Sequence, residues 1–315
     1  MRLGDPHEHP GRRGLPRARP ESEVGMTTMA WTRRRMAAGR FWNQFRKQRA
    51  GVAGLTLLVV AAVLAVLAPV FLDEDVTSVV EGTGQKFAAP GVDGLLGTDE
   101  SGRSILELIW WGAGTSLLIG FLAAVLAMVI GTLVGIVAGH FRGWFGALLM
   151  RLTDWFLVLP SLVTALVLAA ILGGSMVTII VAIGVTAWPS TARLIRAQTL
   201  AVEARPYIER SKALGAGHWH IMSRHVLPNV APLLLASTTL EVASAIVTES
   251  TLAFLGVSSD KTSWGTMLRG SYDWNAASNG AWWYILIPGL CIVAVVMAFT
   301  LVGRALEVVL NPRLR

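Results

Sequence analysis

The sequence predicts an all-α membrane protein with six membrane-spanning helices, and three observations support this fold class. Apolar residues make up 53% of the 315 positions, whereas charged residues make up only 15%. A soluble domain of this length needs more charge to cover its surface with water-compatible groups. Six stretches are mostly apolar over the length of about 20 residues that a helix needs to cross a bilayer. None of them alternates with a period of two, so the spans are helices and not strands.

The six predicted spans are separated by loops of contrasting charge. They cover residues 51–72, 114–138, 144–172, 176–198, 229–255 and 283–305. Basic residues collect before the first span, after the second, between the fourth and fifth, and at the C-terminus. With six spans these four segments fall on one side of the membrane, and basic loops favour the cytoplasmic side. We therefore expect a multi-pass plasma (inner) membrane protein with both termini in the cytoplasm.

Three regions are expected along the chain. Residues 1–40, rich in Pro, Gly, Arg and Glu, are predicted to form a disordered, basic cytoplasmic tail. Residues 41–112 hold the first span and an external loop, and residues 113–315 hold a five-helix core with a cytoplasmic loop at 199–228. Residues 1–50 carry twelve Arg and Lys against four Asp and Glu, whereas the rest of the chain has a net charge of −1, so the overall charge of +7 does not indicate nucleic-acid binding. The translation start is open among three methionines, namely Met1, Met26 and Met29.

Common catalytic and cofactor motifs are absent from the sequence. It contains no phosphate-binding G-x-x-x-x-G-K-[ST], no H-E-x-x-H and no G-x-S-x-G. We expect no catalytic residues, no resident cofactor and no ATP site of that kind in this chain. His218, His220 and His225 lie close together without a nearby carboxylate or thiol, which favours a solvated loop over a metal site. All six histidines fall in the tail or in predicted loops.

Few ionisable residues lie within the predicted spans, and each is a candidate for a functional role. Arg151 and Asp154 are three residues apart and can pair on one helix face. Glu241 and Glu249 are eight residues apart, close to two helical turns, and are expected on one face. Three roles remain open for this pair: proton-coupled transport, a polar face on a pathway or partner, and satisfied structural hydrogen bonds.

Small residues and a proline indicate how the spans pack. Gly131, Gly135 and Gly139 recur every fourth residue in the second span, which allows close approach of a neighbouring helix. Pro160 should kink the third span. Before the second span, residues 94–112 start with Thr98 as a possible N-cap and carry a broad apolar face. They are expected to form either a helix on the outer membrane surface or an extension of the second span.

The stretch ERSKALGAGHWHIMSRHVLP at 209–228 is a polar interruption between two apolar spans. Pro206 suits the first turn of a helix and Gly215 suits its end. A second short helix is expected over 218–226. The apolar face of the first helix is predicted to contain Tyr207, Ile208, Ser211 and Leu214. Two short helices joined at a glycine predict a compact projection that docks into a cleft on another protein.

This projection resembles the cytoplasmic signature of the inner-membrane permease subunits of ATP-binding-cassette importers. The branch concerned is the second permease of dipeptide, oligopeptide and nickel systems. Its signature is E-A-A-x-x-x-G, nine residues, then I-x-L-P, and four positions match, namely Glu209, Gly215, Leu227 and Pro228. Arg210 and Ser211 replace the two alanines, and His225 stands in place of the isoleucine.

Four further segments resemble the same branch in the same order. GLLGTDESGRSILELIWWGAGTSL at 94–117 resembles its L-G-T-D-x-x-G-R-D segment, and RLTDWFLVLPSL at 151–162 resembles R-x-x-D-x-x-x-x-x-P-S. TESTLAFLGV at 248–257 resembles A-E-A-S-L-S-F-L-G, and SWGTML at 263–268 also fits. The terminal NPRLR fits as well, so the resemblance covers residues 40–315.

The resemblance implies a type I importer permease fold whose cytoplasmic helices couple ATP hydrolysis to transport. It implies a second homologous permease, two ATP-binding subunits or one fused ATPase that hold ATP and magnesium, an extracytoplasmic substrate-binding protein, and the surrounding lipid bilayer. The residues assigned to coupling are Pro206, Glu209, Arg210, Ser211, Lys212, Gly215, Leu227 and Pro228. Those assigned to the translocation pathway or to intramembrane polar contacts are Asp154, Glu241 and Glu249. Those assigned to an external gate or binding-protein contact are Thr98, Asp99, Gly102 and Arg103.

The substrate implied by the resemblance is a dipeptide or oligopeptide. Importers of nickel, glutathione and haem share this permease type, and the residues do not choose among these cargoes. A stand-alone ion-coupled carrier that uses Glu241 and Glu249 is the alternative of a different class.

Overall fold

The computed structural model describes residues 39–78, 82 and 84–310, and the regular elements in these ranges are helices. In chain order they are α1 (Arg49–Phe71), a 3₁₀ turn (Glu74–Thr77), α2 (Ile105–His140), α3 (Trp144–Val158), α4 (Ser161–Leu172), α5 (Met176–Glu203), α6 (Pro206–Ala213), α7 (His218–His220), a π-helical segment (Ile221–Val226), α8 (Leu227–Phe254), α9 (Trp264–Asp273) and α10 (Trp282–Leu310). Residues 39–45 are also helical. Residues 1–38 of the predicted tail and the terminal motif at 311–315 lie outside the described residues.

The predicted all-α membrane fold is confirmed. Within the described ranges, five helical stretches are long and apolar enough to cross a membrane: α1, α2, α5, the continuous stretch His218–Phe254, and α10. The helices α3 and α4 make a sixth span if they are counted as one, although their axes are bent by 88°. The predicted division of the chain into three regions stays a prediction.

Pro160 causes a break that is sharper than the predicted kink. It stands at the N-cap position of α4, and Leu159 before it is extended, with φ −75° and ψ 132°. Proline has no backbone N–H and disfavours helical geometry in the preceding residue, so the helical hydrogen bonding of α3 ends here. The predicted third span is therefore two helices at nearly a right angle.

The helices α2 and α5 pack closely along the predicted glycine face. A Cβ atom on Gly131 would lie 2.7 Å from the carbonyl oxygen of Trp188, and one on Gly135 would lie 2.7 Å from that of Ala192. At Gly139 the obstacle would be Thr199, whose Cβ would be 2.7 Å away. The absence of side chains on α2 thus lets the two backbones approach, as small residues do between membrane helices.

Two clusters of buried side chains hold the bundle together at different levels. The first joins the start of α2 to α9 and α10 and contains Ile105, Leu108, Trp264, Trp283 and Tyr284 among its members. The second joins the ends of α2 and α5 to the segment that follows α5, and its members are Ile136, Ile195, Val202, Ile208, Ile221, Val226 and Val230. The segment that follows α5 therefore packs onto the ends of α2 and α5 through buried apolar side chains.

The prediction of a surface helix over residues 94–112 is wrong, and so is the prediction that Thr98 caps a helix. The helix α2 begins at Ile105, after a loop in which Thr98 forms an isolated bridge with Ser104. Thr98 is fully buried and uses its hydroxyl inside the loop. The alternative of a helix that extends the second span holds for residues from 105 onwards, because α2 continues without interruption to His140.

Candidate functional site

The segment Pro206–Val226 forms a projection at one end of the bundle, which we call the coupling knob. Its first helix, α6, starts with Pro206 at the first helical position, where the missing N–H costs no hydrogen bond. Ile208 is fully buried and belongs to the cluster between the ends of α2 and α5. One apolar side chain thus fixes α6 to the two spans.

Gly215 ends α6 in the conformation that its sequence position predicts. Its φ is +85°, a left-handed geometry that glycine adopts at little cost. Its N–H donates to the carbonyl of Lys212 at 3.0 Å, and the N–H of Ala216 donates to that of Ser211 at 3.0 Å. These bonds satisfy carbonyls left open at the helix end and turn the chain towards α7.

The sequence predicted a separate short helix for the second half of the knob, and this prediction is wrong. The helix α7 continues into the π-helical segment Ile221–Val226 and then directly into α8. Leu227 and Pro228 are the first two residues of α8 and directly follow the π-helical segment, so Pro228 lies inside a continuous helical stretch. The second half of the knob and the fifth span are therefore one continuous helical stretch.

A buried carboxylate ties the knob to both neighbouring spans. Glu203, at the end of α5, has a side chain that is only 1% exposed, and its Oε2 lies 3.1 Å from Nζ of Lys212 on α6. Its Oε1 contacts Nδ1 of His140, the last residue of α2. Nε2 of His140 in turn lies 2.8 Å from Nδ1 of His218 in the knob. Four side chains from four helices thus form one polar chain.

This polar chain corrects the prediction that His140 lies in a loop, whereas His218 and His220 are exposed, as a solvated segment predicts. His140 is buried and has a partner on each ring nitrogen. His225 is partly buried, and its Nε2 lies 3.4 Å from the hydroxyl of Ser211. Nothing in the sequence pairs Glu203 with His140, because 63 residues separate them. Within the part of the chain that the structure describes, no group of three metal-ligating residues could hold an ion.

The outer surface of the knob combines exposed apolar and charged side chains. Leu214 is 89% exposed and Trp219 is 77% exposed, although large apolar side chains normally avoid such exposure in a polar segment. Glu209 and Arg210 are exposed on α6. Leu214 was predicted on the same face as Ile208, and this was wrong, because one is exposed and the other is buried. The knob therefore has an anchored inner face and an unpartnered outer face.

A cavity of about 210 Å³ with both polar and apolar walls lies where α3 and α4 meet α5 and α8. Glu241 lines it, as do hydroxyls of α4, α5 and α8. Asp154 is about half exposed and accepts from Arg193 of α5, with Nη2 at 2.6 Å. The sequence had suggested Arg151 as the partner of Asp154, but the partner is Arg193.

Glu249 does not share the cavity with Glu241. It is 3% exposed, and its Oε2 accepts from the hydroxyl of Ser116 at 3.4 Å and from that of Ser250 at 3.2 Å. Ser116 also accepts from the backbone N–H of Trp264 at 3.2 Å. Glu249 therefore joins α8 to α2 and to the start of α9, which favours the structural role among the three that the sequence left open.

The segment Thr98–Arg103, which was predicted to be external, forms a tight turn around one carboxylate. Asp99 is fully buried, and its Oδ1 accepts from the N–H groups of Ser101 at 2.9 Å and Arg103 at 2.8 Å. Its Oδ2 lies 2.6 Å from Nε of Arg103. Gly102 has φ +78°, and a side chain there would collide with the backbone of Gly84. These residues set the shape of the loop, and their role towards a binding protein stays a prediction.

Glu100 follows Asp99 in this loop and has an unusual environment. Its Oε1 lies 3.4 Å from Nη2 of Arg103, whereas its Oε2 is buried without a hydrogen-bond partner among the described residues. Burial and then the negative charge of Asp99 raise the pKa of the Glu100 carboxyl, and these effects outweigh the hydrogen bonds and Arg103, which lower it. No sequence motif distinguishes Glu100 from an ordinary loop carboxylate.

Comparison with known proteins connects these features to a family. Residues 131–315 match the family model described as "binding-protein-dependent transport system inner membrane component". Residues 38–89 match the "N-terminal TM domain of oligopeptide transport permease C". The first of these matches contains the knob, the cavity and Glu249, and the second contains α1.

Curated relatives cover nearly the whole chain. The dipeptide transport system permease protein DppC of Escherichia coli (strain K12) is 36% identical over 281 residues, which cover 87% of this chain and 93% of that protein. The di/tripeptide transport system permease protein DppC of Pseudomonas aeruginosa (strain UCBPP-PA14) is 35% identical over 87% of this chain and 92% of its own length. The oligopeptide transport system permease protein OppC of Bacillus subtilis (strain 168) is 33% identical over 86% and 88%, respectively.

Proposed function

The chain belongs to the inner-membrane permeases of binding-protein-dependent transport systems, and from this we propose how its coupling knob drives transport. It is the permease subunit of an ATP-binding-cassette importer, and its relatives are named for dipeptides, di/tripeptides and oligopeptides. Peptides are therefore its substrate class.

The proposed complex contains a second homologous permease, two ATP-binding subunits or one fused ATPase, and an extracytoplasmic binding protein. ATP and magnesium bind to the ATPase subunits. The knob docks into a cleft of an ATPase through Leu214 and Trp219, with Glu209 and Arg210 beside them. Exposed apolar side chains within a polar, charged surface are typical of an anchor that a partner buries.

Movement of the knob reaches the spans by two rigid connections. On one side, Ile208 and the ion pair of Lys212 with Glu203 join α6 to α2 and α5. On the other side, α7 and the π-helical segment continue into α8, which carries Glu241. A displacement of the knob therefore shifts the helices around the cavity, which is how a closing ATPase dimer would switch access between the two sides of the membrane.

The observation that carries this proposal is the contrast between the two faces of the knob. Its inner face is anchored by a fully buried isoleucine and a 1% exposed carboxylate, and its outer face presents an 89% exposed leucine. A stand-alone carrier has no need of such a surface. Uptake that persists without the ATPase subunits would favour the carrier and contradict the proposal.

A matched pair of glycines tests the coupling role. Gly215 has φ +85°, whereas Gly217 has an ordinary φ of −72°, and a Cβ on either would meet nothing within 4 Å. Gly215→Val should distort the turn of the knob and lower peptide uptake per ATP hydrolysed in the reconstituted complex by tenfold or more. Gly217→Val should change it little. Normal coupling in Gly215→Val would contradict the role of the knob.

A further inference from the structure

The cavity between α3, α4, α5 and α8 contains a carboxylate without a counter-charge. Glu241 lies near the middle of α8, and no side chain within the described part of the chain donates a hydrogen bond to it or pairs with it. The residues that line the cavity include no Lys, Arg or His. A carboxylate at membrane depth is costly unless a cationic group or a proton neutralises it. The ionised form of Glu241 therefore lacks a compensating charge among the residues that line the cavity.

The hydroxyls of the cavity wall are arranged as hydrogen-bond acceptors. Thr186 donates its only hydroxyl proton to the carbonyl of Ala182 at 2.9 Å, and Thr248 donates its own to that of Ser244 at 3.0 Å. Ser190 does the same with a carbonyl of α5. A hydroxyl has one proton and two lone pairs, so these three groups offer only lone pairs to the cavity. Ser161 and Ser244 add two more hydroxyls that can accept as well.

A negatively charged wall rich in acceptors is complementary to a group that carries several N–H donors and a positive charge. An ammonium group has three donors and no acceptor. The volume of about 210 Å³ corresponds to about seven water molecules, which suits one amino-terminal residue better than a whole peptide. Leu157 and Ile183 supply apolar wall for its side chain.

We propose that Glu241 is the transient counter-charge for the free α-amino group of a peptide during its passage through the permease. The ammonium group binds between the carboxylate and the lone pairs of Thr186, Ser190 and Thr248, and it leaves when the helices around the cavity rearrange. This inference rests on the proposed function. It adds that the permease favours peptides with a free amino group, because a peptide with a blocked amino group lacks the charge that neutralises Glu241.

The test compares a free peptide with its blocked form in the full complex. Proteoliposomes that contain both permeases and the ATPases, with the binding protein added outside, receive radiolabelled Ala-Phe or N-acetyl-Ala-Phe. We expect Glu241→Gln to lower the uptake of Ala-Phe by about tenfold while it leaves that of the acetylated peptide nearly unchanged. Thr248→Val, which removes one acceptor and keeps the shape, should act in the same direction by about threefold. The preference of the binding protein cancels, because every variant is measured with the same binding protein.

Glu307→Gln is the matched control, since Glu307 is exposed near the end of α10 and away from the cavity. Equal loss for both peptides, or no loss for either, overturns the inference while the importer function stands. Loss of the second permease from the purified Glu241→Gln complex also overturns it, because Glu241 would then pair with that subunit. A wild-type complex that imports neither peptide in the presence of ATP overturns the proposed function and this inference together.

Discussion

At the residue scale, the loop before α2 places two carboxylates with different surroundings next to each other in the sequence. Asp99 is fully buried and has two backbone donors and an arginine, so its charge is compensated. Glu100 is 10% exposed, and one of its oxygens has no hydrogen-bond partner in the part of the chain that the structure describes. Burial and the neighbouring Asp99 raise the pKa of Glu100, so the fold tolerates the protonated form of this carboxyl better than the ionised one.

This difference predicts a pH dependence of stability. A carboxyl whose pKa is higher in the folded than in the unfolded state binds more protons when folded, so its stabilising contribution is complete below the ordinary pKa of 4.5 and is lost as the pH rises through the raised pKa. Glu100→Gln should remove this loss of stability, because glutamine does not ionise. Its carbonyl oxygen can still accept a hydrogen bond from Arg103. We expect the melting temperature of the variant in detergent to exceed that of the wild type at pH 7 and to match it near pH 4. A variant that melts below the wild type at pH 7 would contradict the assignment.

Sequence motifs identified the residues of this loop but not their partners. Thr98, Asp99, Gly102 and Arg103 were found because they match a family pattern, and the pattern does not show that two of them are fully buried. The same holds for the polar chain at the other end of the bundle. His140 and Glu203 are 63 residues apart and meet only because α2 and α5 pack along the glycine face. Long-range pairs of this kind follow from tertiary packing, which periodicity in one sequence does not determine.

At the element scale, the knob has one ion pair that spans the boundary between α5 and α6. Lys212 is 47% exposed, and water screens its charge, so its attraction to Glu203 adds little to the stability of the fold. Glu203 is buried, however, and loses a compensating charge when Lys212 is removed. The contact therefore fixes the orientation of α6 relative to the end of α5 more than it adds to the stability of the whole chain.

Removal of this pair should weaken coupling without loss of the fold. We expect Lys212→Met to lower peptide uptake per ATP hydrolysed by about two- to fivefold, and Lys212→Arg to restore it. In the double variant with Glu203→Gln, the effect of Lys212→Met should largely disappear, since the partner charge is already absent. Arg304→Met on the exposed side of α10 serves as the control. Additive effects of the two substitutions would show that the pair does not transmit the motion.

Element boundaries followed from the sequence where local chemistry decides them. Pro206 and Gly215 mark the ends of α6 because a fixed φ and a positive φ are properties of single residues. Pro160 also marked a discontinuity, but the 88° bend depends on what surrounds α3 and α4. The continuity from α7 into α8 was missed because a Leu-Pro pair usually marks a helix boundary, whereas Pro228 lies inside the helical stretch His218–Phe254, directly after the π-helical segment.

At the scale of the whole molecule, charge sorts to the two ends of the bundle. The knob, the residue before it and the turn between α2 and α3 carry Arg142, Arg205, Arg210, Lys212 and Arg224. The loop between α1 and α2 carries the acidic Asp73, Asp75, Asp93, Asp99 and Glu100. Basic residues in short loops are retained in the cytoplasm during insertion. The asymmetry favours an orientation with the knob inside and the Asp99 loop outside, which agrees with docking of an ATPase at one end and a binding protein at the other.

Cysteine labelling tests this orientation directly. The described residues contain one cysteine, Cys291, which is partly buried in α10, and Cys291→Ser provides a background without it. Leu95→Cys lies in the acidic loop at a position that is 77% exposed, and Arg142→Cys lies at an exposed position in the basic turn. We expect a membrane-impermeant maleimide to label Leu95→Cys on intact cells, and Arg142→Cys only after the membrane is opened. The reverse pattern would place the knob outside, where no ATPase could reach it, and would contradict the coupling mechanism as well as the orientation.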